Sequence, residues 1–242
     1  MSIVANTSIM SFRFKQFYIE DSQCAMKVGT DGVLIGCWAE MEDVRCQMSD
    51  VRILDAGTGS GLIARMLMQR YPEAEVEGID IDEAAVEQAK ENGVRAFEAR
   101  IQEWDPGYEY DLIISNPPYF RNSLKNPDKG RELARHTDSL SYEDLAMHSA
   151  RLLKEHGQLA IILPAEAEEE MRDIAARYSL YCTRATRVYS KESKPVRRVM
   201  MEFEKSTCRN IDILTSEDTL VLEDEKGGRS LQYQEIAKDF YL

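Results

Sequence analysis

The stretch Asp55-Ala56-Gly57-Thr58-Gly59-Ser60-Gly61 decides the fold of this chain. It follows the strand-like residues 51–54 and precedes residues 62–67, whose apolar spacing is typical of a helix. Glycine tolerates the backbone conformations of a tight strand-to-helix turn and lets a nucleotide-like ligand approach bare main chain at the helix start. A dinucleotide fingerprint would need glycine at position 62, which is Leu62, and this weakens the case for a nicotinamide cofactor.

Strand and helix patterns alternate along the rest of the chain. This alternation predicts a Rossmann-like α/β fold, with a mostly parallel central sheet and helices on both faces. Two longer runs, 180–189 and 196–203, are rich in β-branched and aromatic residues and flank a Lys-Glu-Ser-Lys-Pro turn, so they predict a C-terminal β-hairpin. The other predicted strands are 51–55, 75–80, 94–99, 110–115 and 157–163.

Helix signals fall between these strands. Asp82 is a predicted N-cap, and Ser141 begins a further helix with acidic residues in its first turn. The predicted helices are 62–71, 82–92, 141–156 and 165–178.

The chain is expected to form one domain over residues 1–205. Residues 206–242 hold too few apolar side chains for a second core, so we expect them to form a C-terminal appendage packed on the same domain. Within this appendage, the patterns predict a short strand over 211–215, an acidic, turn-rich stretch over 217–228 and a closing helix over 231–239.

Composition excludes several classes of protein. No stretch approaches the roughly 18 apolar residues of a membrane span, and the N-terminus lacks a signal-peptide layout. We therefore expect a cytoplasmic protein without membrane association, and we favour a monomer. The cysteines and histidines show neither a disulfide framework nor metal-ligand spacing, so no metal is expected. They are Cys24, Cys37, Cys46, Cys182, Cys208, His136, His148 and His156.

Charge is unevenly distributed. The formal net charge of −13 argues against indiscriminate binding to nucleic acid, because like charges repel at long range. Residues 121–136 nevertheless carry five basic and two acidic residues, a net +3, and residues 184–198 carry six basic and one acidic, a net +5. Such runs are often only solvated faces, and that alternative stays open for each segment.

Asp80 adds a second cofactor signal. It ends the predicted strand 75–80, where an acid can accept both hydroxyls of a ribose. An acid at a helix N-terminus is the alternative, but Asp82 competes for that role. S-adenosyl-L-methionine fits this layout, since its adenosine needs a ribose clamp and its methionine part needs close backbone approach at Gly57 and Gly59.

The tetrapeptide Asn116-Pro117-Pro118-Tyr119 directly follows the apolar run 110–115 and provides groups that can bind a planar NH2 group. If the Asn116 side-chain oxygen and the Pro117 carbonyl accept hydrogen bonds from the amine, its lone pair is aimed at the methyl donor. The two prolines stiffen the loop, and Tyr119 can stack on a flipped-out base. A rigid turn after a buried strand is the structural alternative.

Together these motifs give a resemblance that spans almost the whole chain. The chain resembles the class I S-adenosylmethionine-dependent methyltransferases that modify amino nitrogens, most closely the bacterial tRNA1(Val) adenine-N6 methyltransferase family. The narrower match rests on residues 12–17 and 24–36, on Ala134-Arg135-His136-Thr137 ahead of Leu140, and on residues 194–198 with 239–242, and the block 26–36 is its most specific part.

The resemblance implies N6-methylation of an adenine in tRNA, at position 37 of tRNA(Val), with S-adenosyl-L-methionine as cofactor. It implies an N-terminal loop that closes over the methionine end of the cofactor. The implied cofactor residues are Lys27, Gly29, Asp31, Asp55, Gly57, Gly59 and Asp80. The implied catalytic residues are Asn116, Pro117, Pro118 and Tyr119.

Some roles are less direct. The candidate RNA contacts, taken from the two basic segments, are Arg121, Arg135, Arg197 and Arg198. Relatives often carry an acid for the cofactor adenine just after the third strand, whereas this chain has Arg100. The adenine contact is therefore left open between backbone groups, Gln102 and Glu103. His136 stays outside the catalytic set, because the methylated ammonium is acidic and sheds its proton readily.

Two other functions stay open. A protein glutamine-N5 methyltransferase would use the same tetrapeptide, although that group typically carries a separate N-terminal helical domain, and only about fifty residues precede Val51 here. The second alternative is a non-catalytic module that binds a cofactor or RNA. The intact tetrapeptide disfavours this alternative.

Overall fold

The computed structural model describes residues 11–41, 50–118, 140–207 and 215–241. Two short antiparallel strands, β1 (Ser11–Arg13) and β2 (Tyr18–Glu20), form a hairpin near the N-terminus. The other described strands form one eight-stranded sheet. They are β3 (Arg52–Ala56), β4 (Glu75–Asp80), β5 (Arg95–Glu98), β6 (Tyr110–Ser115), β7 (Leu153–Pro164), β8 (Leu180–Tyr189), β9 (Val196–Lys205) and β10 (Ser216–Val221).

The sheet order confirms the predicted fold class. The strands lie in the order β10-β8-β9-β7-β6-β3-β4-β5, and only β9 runs antiparallel to its neighbours. From β3 the chain winds outward through β4 and β5, and it then returns to place β6 on the other side of β3. Ligands bind at such a reversal of strand order, outside the carboxyl ends of the strands.

Helices cover both faces of this sheet. Alternate strand residues point to opposite faces, so Ile53 and Leu112 join one buried cluster while Leu54 and Ile113 join another. The first cluster includes residues of α1, α2, α3 and α6, and the second includes residues of α4 and α5. These helices are α1 (Thr30–Trp38), α2 (Leu62–Arg70), α3 (Glu83–Glu91), α4 (Tyr142–Leu152), α5 (Glu168–Arg177) and α6 (Leu231–Ala237). Among the described residues, no helix combines the length and apolarity needed to span a membrane.

The predicted N-caps are confirmed, whereas one predicted boundary is wrong. Asp82 and Ser141 cap α3 and α4 through their side chains. The helix from Ser141 ends at Leu152 instead of His156, and β7 begins four residues before the predicted strand start. Leu153 already pairs with Tyr110, and the register then shifts before Gln158 pairs with Leu112. The irregular stretch between these two pairings, residues 154–157, carries mostly polar side chains, and for this reason the sequence predicted a continuation of the helix there.

The C-terminal region also differs from expectation. The stretch predicted as acidic turn contains β10, which pairs in parallel with β8 at the edge of the sheet. Its residues Ser216 to Thr219 are exposed, so an edge strand here has few apolar side chains to reveal it. The closing helix is confirmed as α6, and most of the predicted strand 211–215 lies outside the described residues. The division of the chain at residue 206 remains a prediction.

The N-terminal hairpin is held against the β3–α2 region by a buried asparagine. The Asn92 Oδ1 atom accepts from the backbone N–H of Glu20 at 3.1 Å. Its Nδ2 atom donates to the carbonyls of Glu20 at 2.7 Å and Ser60 at 2.8 Å. This hairpin was not predicted from the sequence, and its position depends on contacts with residues far along the chain.

We expect Asn92→Ala to lower the free energy of unfolding by about 1–3 kcal/mol, because it leaves buried backbone groups without a partner. Urea denaturation followed by circular dichroism measures this loss. Gln23→Ala, which removes an exposed amide from the same contact region, should change stability far less. Equal effects of the two variants would contradict an anchoring role for Asn92.

Candidate functional site

The turn between β3 and α2 depends on three glycines with positive φ. Gly57, Gly59 and Gly61 have φ of 78°, 53° and 79°, in the left-handed region that favours glycine. A Cβ atom at Gly57 or Gly59 would meet no atom within 4 Å, whereas one at Gly61 would lie 2.7 Å from the Val94 side chain. The first two glycines therefore leave main chain open to a ligand, and Gly61 permits close packing.

Asp55 lies behind this turn and is fully buried. Its Oδ2 atom accepts from the Thr58 hydroxyl at 2.8 Å and from the backbone N–H of Ala64 at 3.1 Å. Burial raises the pKa of the Asp55 carboxyl to about 7, against the lowering effect of these two hydrogen bonds. Asp55 is thus placed to hold the turn to the start of α2, and it is not among the residues that line the cavity in front.

Gly78 on β4 makes room for this arrangement. It pairs with Asp55 across the sheet, and a Cβ atom at this position would lie 2.6 Å from the Thr58 Oγ1 atom. The hydroxyl that bonds to Asp55 can sit there only because β4 has no side chain at that point. The sequence offered no obvious sign of this role, since the signal is a single glycine within a strand pattern.

Asp80 ends β4 and lines the cavity. Its Oδ2 atom accepts from the backbone N–H of Gly59 at 2.9 Å, and its Oδ1 atom accepts from that of Asp82 at 3.0 Å. Each carboxylate oxygen has a second lone pair, so the group can also accept from a ligand hydroxyl. The Asp82 side chain caps α3, as predicted from the sequence.

A cavity of about 340 Å³ lies at the carboxyl ends of β3, β4, β5 and β6. The glycine turn and Asp80 line one side of this cavity, and the other side is lined by Asn116, Pro117 and Pro118. The Ser115 hydroxyl donates to the carbonyl of Ala56 at 2.7 Å and so ties the ends of β6 and β3 together. The two predicted halves of the site are therefore brought into one cavity.

The tetrapeptide at the end of β6 is described as far as Pro118. Asn116 is half-buried, Pro117 is buried and Pro118 is exposed. Tyr119 lies outside the described residues. A Cβ atom on Gly32 of α1 would lie 3.8 Å from the Asn116 Nδ2 atom, so the first turn of α1 passes close to this amide.

Residues 21–28 form a loop along one side of the cavity. The backbone N–H of Val28 donates to the Asp21 carboxylate at 2.8 Å, and the Lys27 ammonium donates to the Asp21 carbonyl at 2.6 Å. Lys27 thus braces the loop and does not line the cavity. The residues that do line it, which sequence reasoning missed, are Cys24, Ala25 and Met26.

Gly29 and Asp31 lie at the start of α1. Gly29 is the N-cap residue, without a side-chain cap, and Asp31 is in the first turn. The Asp31 carboxylate accepts from the Arg198 Nε atom at 2.8 Å. Neither Gly29 nor Asp31 lines the cavity.

The far wall of the cavity follows β5 and includes Ala99, Arg100, Ile101 and Gln102. Arg100 occupies the point at which relatives often carry an acid, and the structure places it on this wall. Ile81 also lines the cavity and is 49% exposed, so it adds an apolar surface at this end.

Among the described residues, the cavity wall offers no ready nucleophile and no cluster of metal ligands. Burial, with the nearby charges of Asp21 and Asp80, raises the pKa of the Cys24 thiol to about 11, so it stays protonated at neutral pH. Within the described ranges, no group of three or more His, Cys, Asp or Glu side chains is arranged to hold a metal ion. The site is equipped for positioning and hydrogen bonding.

Most basic residues of the segment 184–198 are paired with acids inside the molecule. Arg184 pairs with Glu202, Arg187 with Glu168 and Glu217, Lys191 with Glu223, and Arg198 with Asp31. Lys194 and Arg197 are exposed. Arg121, Arg135 and His136 lie outside the described residues. The net charge of this segment therefore overstates the positive charge that it presents to solvent.

Comparison with known proteins identifies close relatives along almost the whole chain. The methyltransferase small domain family matches residues 41–178. The tRNA1(Val) (adenine(37)-N6)-methyltransferase of Parabacteroides distasonis is 45% identical over 241 residues, which cover 96% of this chain and 97% of that protein. Proteins of the same name from Bacteroides thetaiotaomicron and Flavobacterium johnsoniae are 40% and 37% identical, each over 96% of this chain and over 97% and 99% of their own lengths.

Solved structures support the fold. A protein described as a predicted O-methyltransferase from Agrobacterium tumefaciens superposes with a TM-score of 0.63 at 18% identity, covering 87% of this chain and 96% of that one. A putative class I S-adenosylmethionine-dependent methyltransferase from Listeria monocytogenes gives a TM-score of 0.56 at 14% identity, covering 86% and 67%.

We expect Asp55→Asn to remove a pH-dependent part of the stability. Because the folded pKa of about 7 exceeds the ordinary 3.8, the folded state keeps a proton that the unfolded state releases over this interval. The contribution of Asp55 to stability is therefore complete at low pH and is lost as the pH rises through 7. Denaturation from about pH 5 to about pH 8 should show the parent losing stability relative to the variant. A difference that stays constant with pH would contradict the raised pKa.

Proposed function

The chain belongs to the methyltransferase small domain family, and we propose that it transfers a methyl group from S-adenosyl-L-methionine to N6 of adenine 37 in tRNA1(Val). The observation that carries the proposal is the single cavity in which the glycine turn and Asp80 face Asn116 and Pro117. The relatives named tRNA1(Val) (adenine(37)-N6)-methyltransferase match this chain over nearly their whole lengths, which supports the choice of acceptor.

The cofactor half of the cavity fits S-adenosyl-L-methionine. Gly57 and Gly59 leave space where any other residue would place a Cβ atom, so a ligand can approach the main chain. Asp80 retains lone pairs for the ribose hydroxyls while the N–H groups of Gly59 and Asp82 fix its orientation. When bound, the cofactor supplies an activated methyl group on a sulfonium.

The other proposed cofactor residues act from behind or beside the cavity. Asp55 holds the turn through Thr58 and Ala64. Lys27 braces the loop 21–28, which would close over the methionine end. Gly29 and Asp31 begin α1 beside the same loop.

Asn116 and Pro117 would orient the acceptor. An adenine amine is a poor nucleophile, because its lone pair is delocalised into the ring. The Asn116 side-chain oxygen and the Pro117 carbonyl would accept the two N–H bonds and draw the nitrogen toward tetrahedral geometry, as the transition state requires. Pro117 is buried and Pro118 stiffens the chain, so these acceptors hold their positions. Tyr119 would stack on the flipped base.

The tRNA must approach the carboxyl edge of the sheet, where the cavity opens. An acidic protein needs a local positive surface for this approach. Arg197 is exposed at the start of β9, on that edge, and Lys194 precedes it in the β8–β9 turn. Arg121 and Arg135 follow the catalytic loop in sequence and remain proposed RNA contacts. Arg198, proposed from the sequence as another, is paired with Asp31.

We expect Asn116→Ala to lower methyl transfer about 100-fold or more while the cofactor Kd stays close to that of the parent, because the amide acts mainly in the transition state. The assay uses purified enzyme, labelled cofactor and a tRNA1(Val) transcript, with nucleoside analysis for N6-methyladenosine.

A transcript with guanine at position 37 is the matched control and should accept no methyl group. Equal labelling of both transcripts would place the acceptor elsewhere. Labelling of a protein glutamine, without labelling of tRNA, would support the glutamine-N5 reaction instead.

We expect Arg197→Ala to weaken tRNA binding and to reduce the slope of log affinity against log salt by about one unit, through loss of one phosphate contact. Lys191→Ala is the control, since Lys191 is already paired with Glu223 at 3.4 Å. Binding is measured by filter retention over a salt series. If both variants keep the parent slope, the β8–β9 turn is only a solvated face.

A further inference from the structure

Arg198 links two parts of the chain that meet at the carboxyl edge of the sheet, where the cavity opens. It lies on β9 opposite Pro164, the last residue of β7. Its Nε atom donates to the Asp31 Oδ2 atom at 2.8 Å, across 167 residues of sequence. The two side chains are only 30% and 25% exposed, so the pair is shielded in part from solvent. A shielded ion pair resists salt and holds its geometry better than an exposed one.

Asp31 lies in the first turn of α1, which has no side-chain cap of its own. The N-cap residue is Gly29, which has no side chain to bond to the first N–H groups of the helix. An acid in this turn interacts favourably with the helix dipole, and its carboxylate also binds Arg198. The ion pair is therefore a direct link between the start of α1 and the sheet.

The other end of α1 is held separately. The Arg184 Nη2 atom donates to the carbonyl of Trp38 at 2.9 Å, and its guanidinium lies 3.8 Å from the centre of the Trp38 ring. The Arg70 Nη2 atom donates to the carbonyl of Cys37 at 2.7 Å. With its C-terminal end fixed in this way, α1 can shift at its first turn if the link to Arg198 is lost.

The first turn of α1 borders the proposed catalytic amide. Gly32 follows Asp31 directly, and a Cβ atom on Gly32 would lie 3.2 Å from the Leu62 Cδ2 atom and 3.8 Å from the Asn116 Nδ2 atom. At Gly32 the helix thus faces both α2 and the Asn116 side chain at close range. A displacement of this turn would open space beside the amide and release its orientation.

We infer that Arg198 is a positioning residue, which holds the first turn of α1 through Asp31 and so fixes the Asn116 amide for the acceptor amine. This inference rests on the proposed methyl transfer, in which Asn116 orients the amine. It gives the Arg198–Asp31 pair a role inside the site, distinct from the phosphate contact proposed for the exposed Arg197.

The kinetic test compares Arg198→Ala, Arg198→Lys and Asp31→Asn with the parent on tRNA1(Val). Arg198→Ala and Asp31→Asn should each lower kcat by about 10- to 100-fold, because small displacements of a positioned group are costly. Arg198→Ala should leave the cofactor Kd, the tRNA affinity and the salt slope near parent values. Arg198→Lys should recover part of the lost rate, since an ammonium can still pair with Asp31.

The double variant of Arg198→Ala and Asp31→Asn should be no slower than either single variant, because both changes break the same link. Additive losses, or a lower tRNA affinity with a reduced salt slope for Arg198→Ala alone, would overturn the inference and make Arg198 an RNA contact. Asp31→Asn preserves side-chain shape, so it keeps the test decisive if Arg198→Ala does not fold.

A measurement without tRNA separates this inference from the proposed function. The side-chain NH2 resonance of Asn116, assigned by its absence in Asn116→Ala, should shift in both Arg198→Ala and Asp31→Asn and should stay near its parent position in Arg197→Ala. An unchanged Asn116 resonance in both variants would overturn the positioning role, whatever the acceptor. A shifted resonance with a parent that fails to methylate tRNA1(Val) would support the link and count against the proposed acceptor.

Discussion

The buried carboxylate of Asp55 is the constraint on which the cofactor side of the site depends. It holds the Thr58 hydroxyl and the Ala64 N–H together, and so fixes where the glycine turn ends and α2 begins. Burying such a group is costly, as its raised pKa shows, and two hydrogen bonds only partly offset that cost. Gly78 gives the Thr58 side chain its place. The open main chain at Gly57 and Gly59 follows from this arrangement.

The reversal of strand order beside β3 makes one site from two distant motifs. Because β6 returns to the side of β3 away from β4, its carboxyl end meets the glycine turn, and Ser115 bonds directly to Ala56. The cavity then has Asp80 on its proposed cofactor side and Asn116 on its proposed acceptor side. The N-terminal segment completes it through the loop 21–28, and the first turn of α1 lies close to the Asn116 amide.

Internal ion pairs change how the charge of this chain should be interpreted. The strongly basic segment 184–198 is mostly paired within the molecule, and Arg184 and Arg198 hold opposite ends of α1. A count of charges along the sequence cannot distinguish such arginines from those that face solvent, because the acids that neutralise them come from other elements. Arg197 is exposed, although Arg198, the next residue, is not.

The sequence by itself determined the α/β class, the glycine turn, the N-caps and the placement of the Asn116-Pro117-Pro118 stretch at the end of a strand, because each depends on local backbone preference or on the chemistry of adjacent residues. Asp80 and Asn116 were both placed correctly on the cavity wall, since the carboxyl ends of parallel strands share one edge. Only the tertiary structure placed Asp55 behind the turn, brought Cys24 to Met26 to the cavity and paired Asp31 with Arg198. These contacts join residues far apart in sequence, and they are set by sheet register and helix packing, which no local pattern encodes.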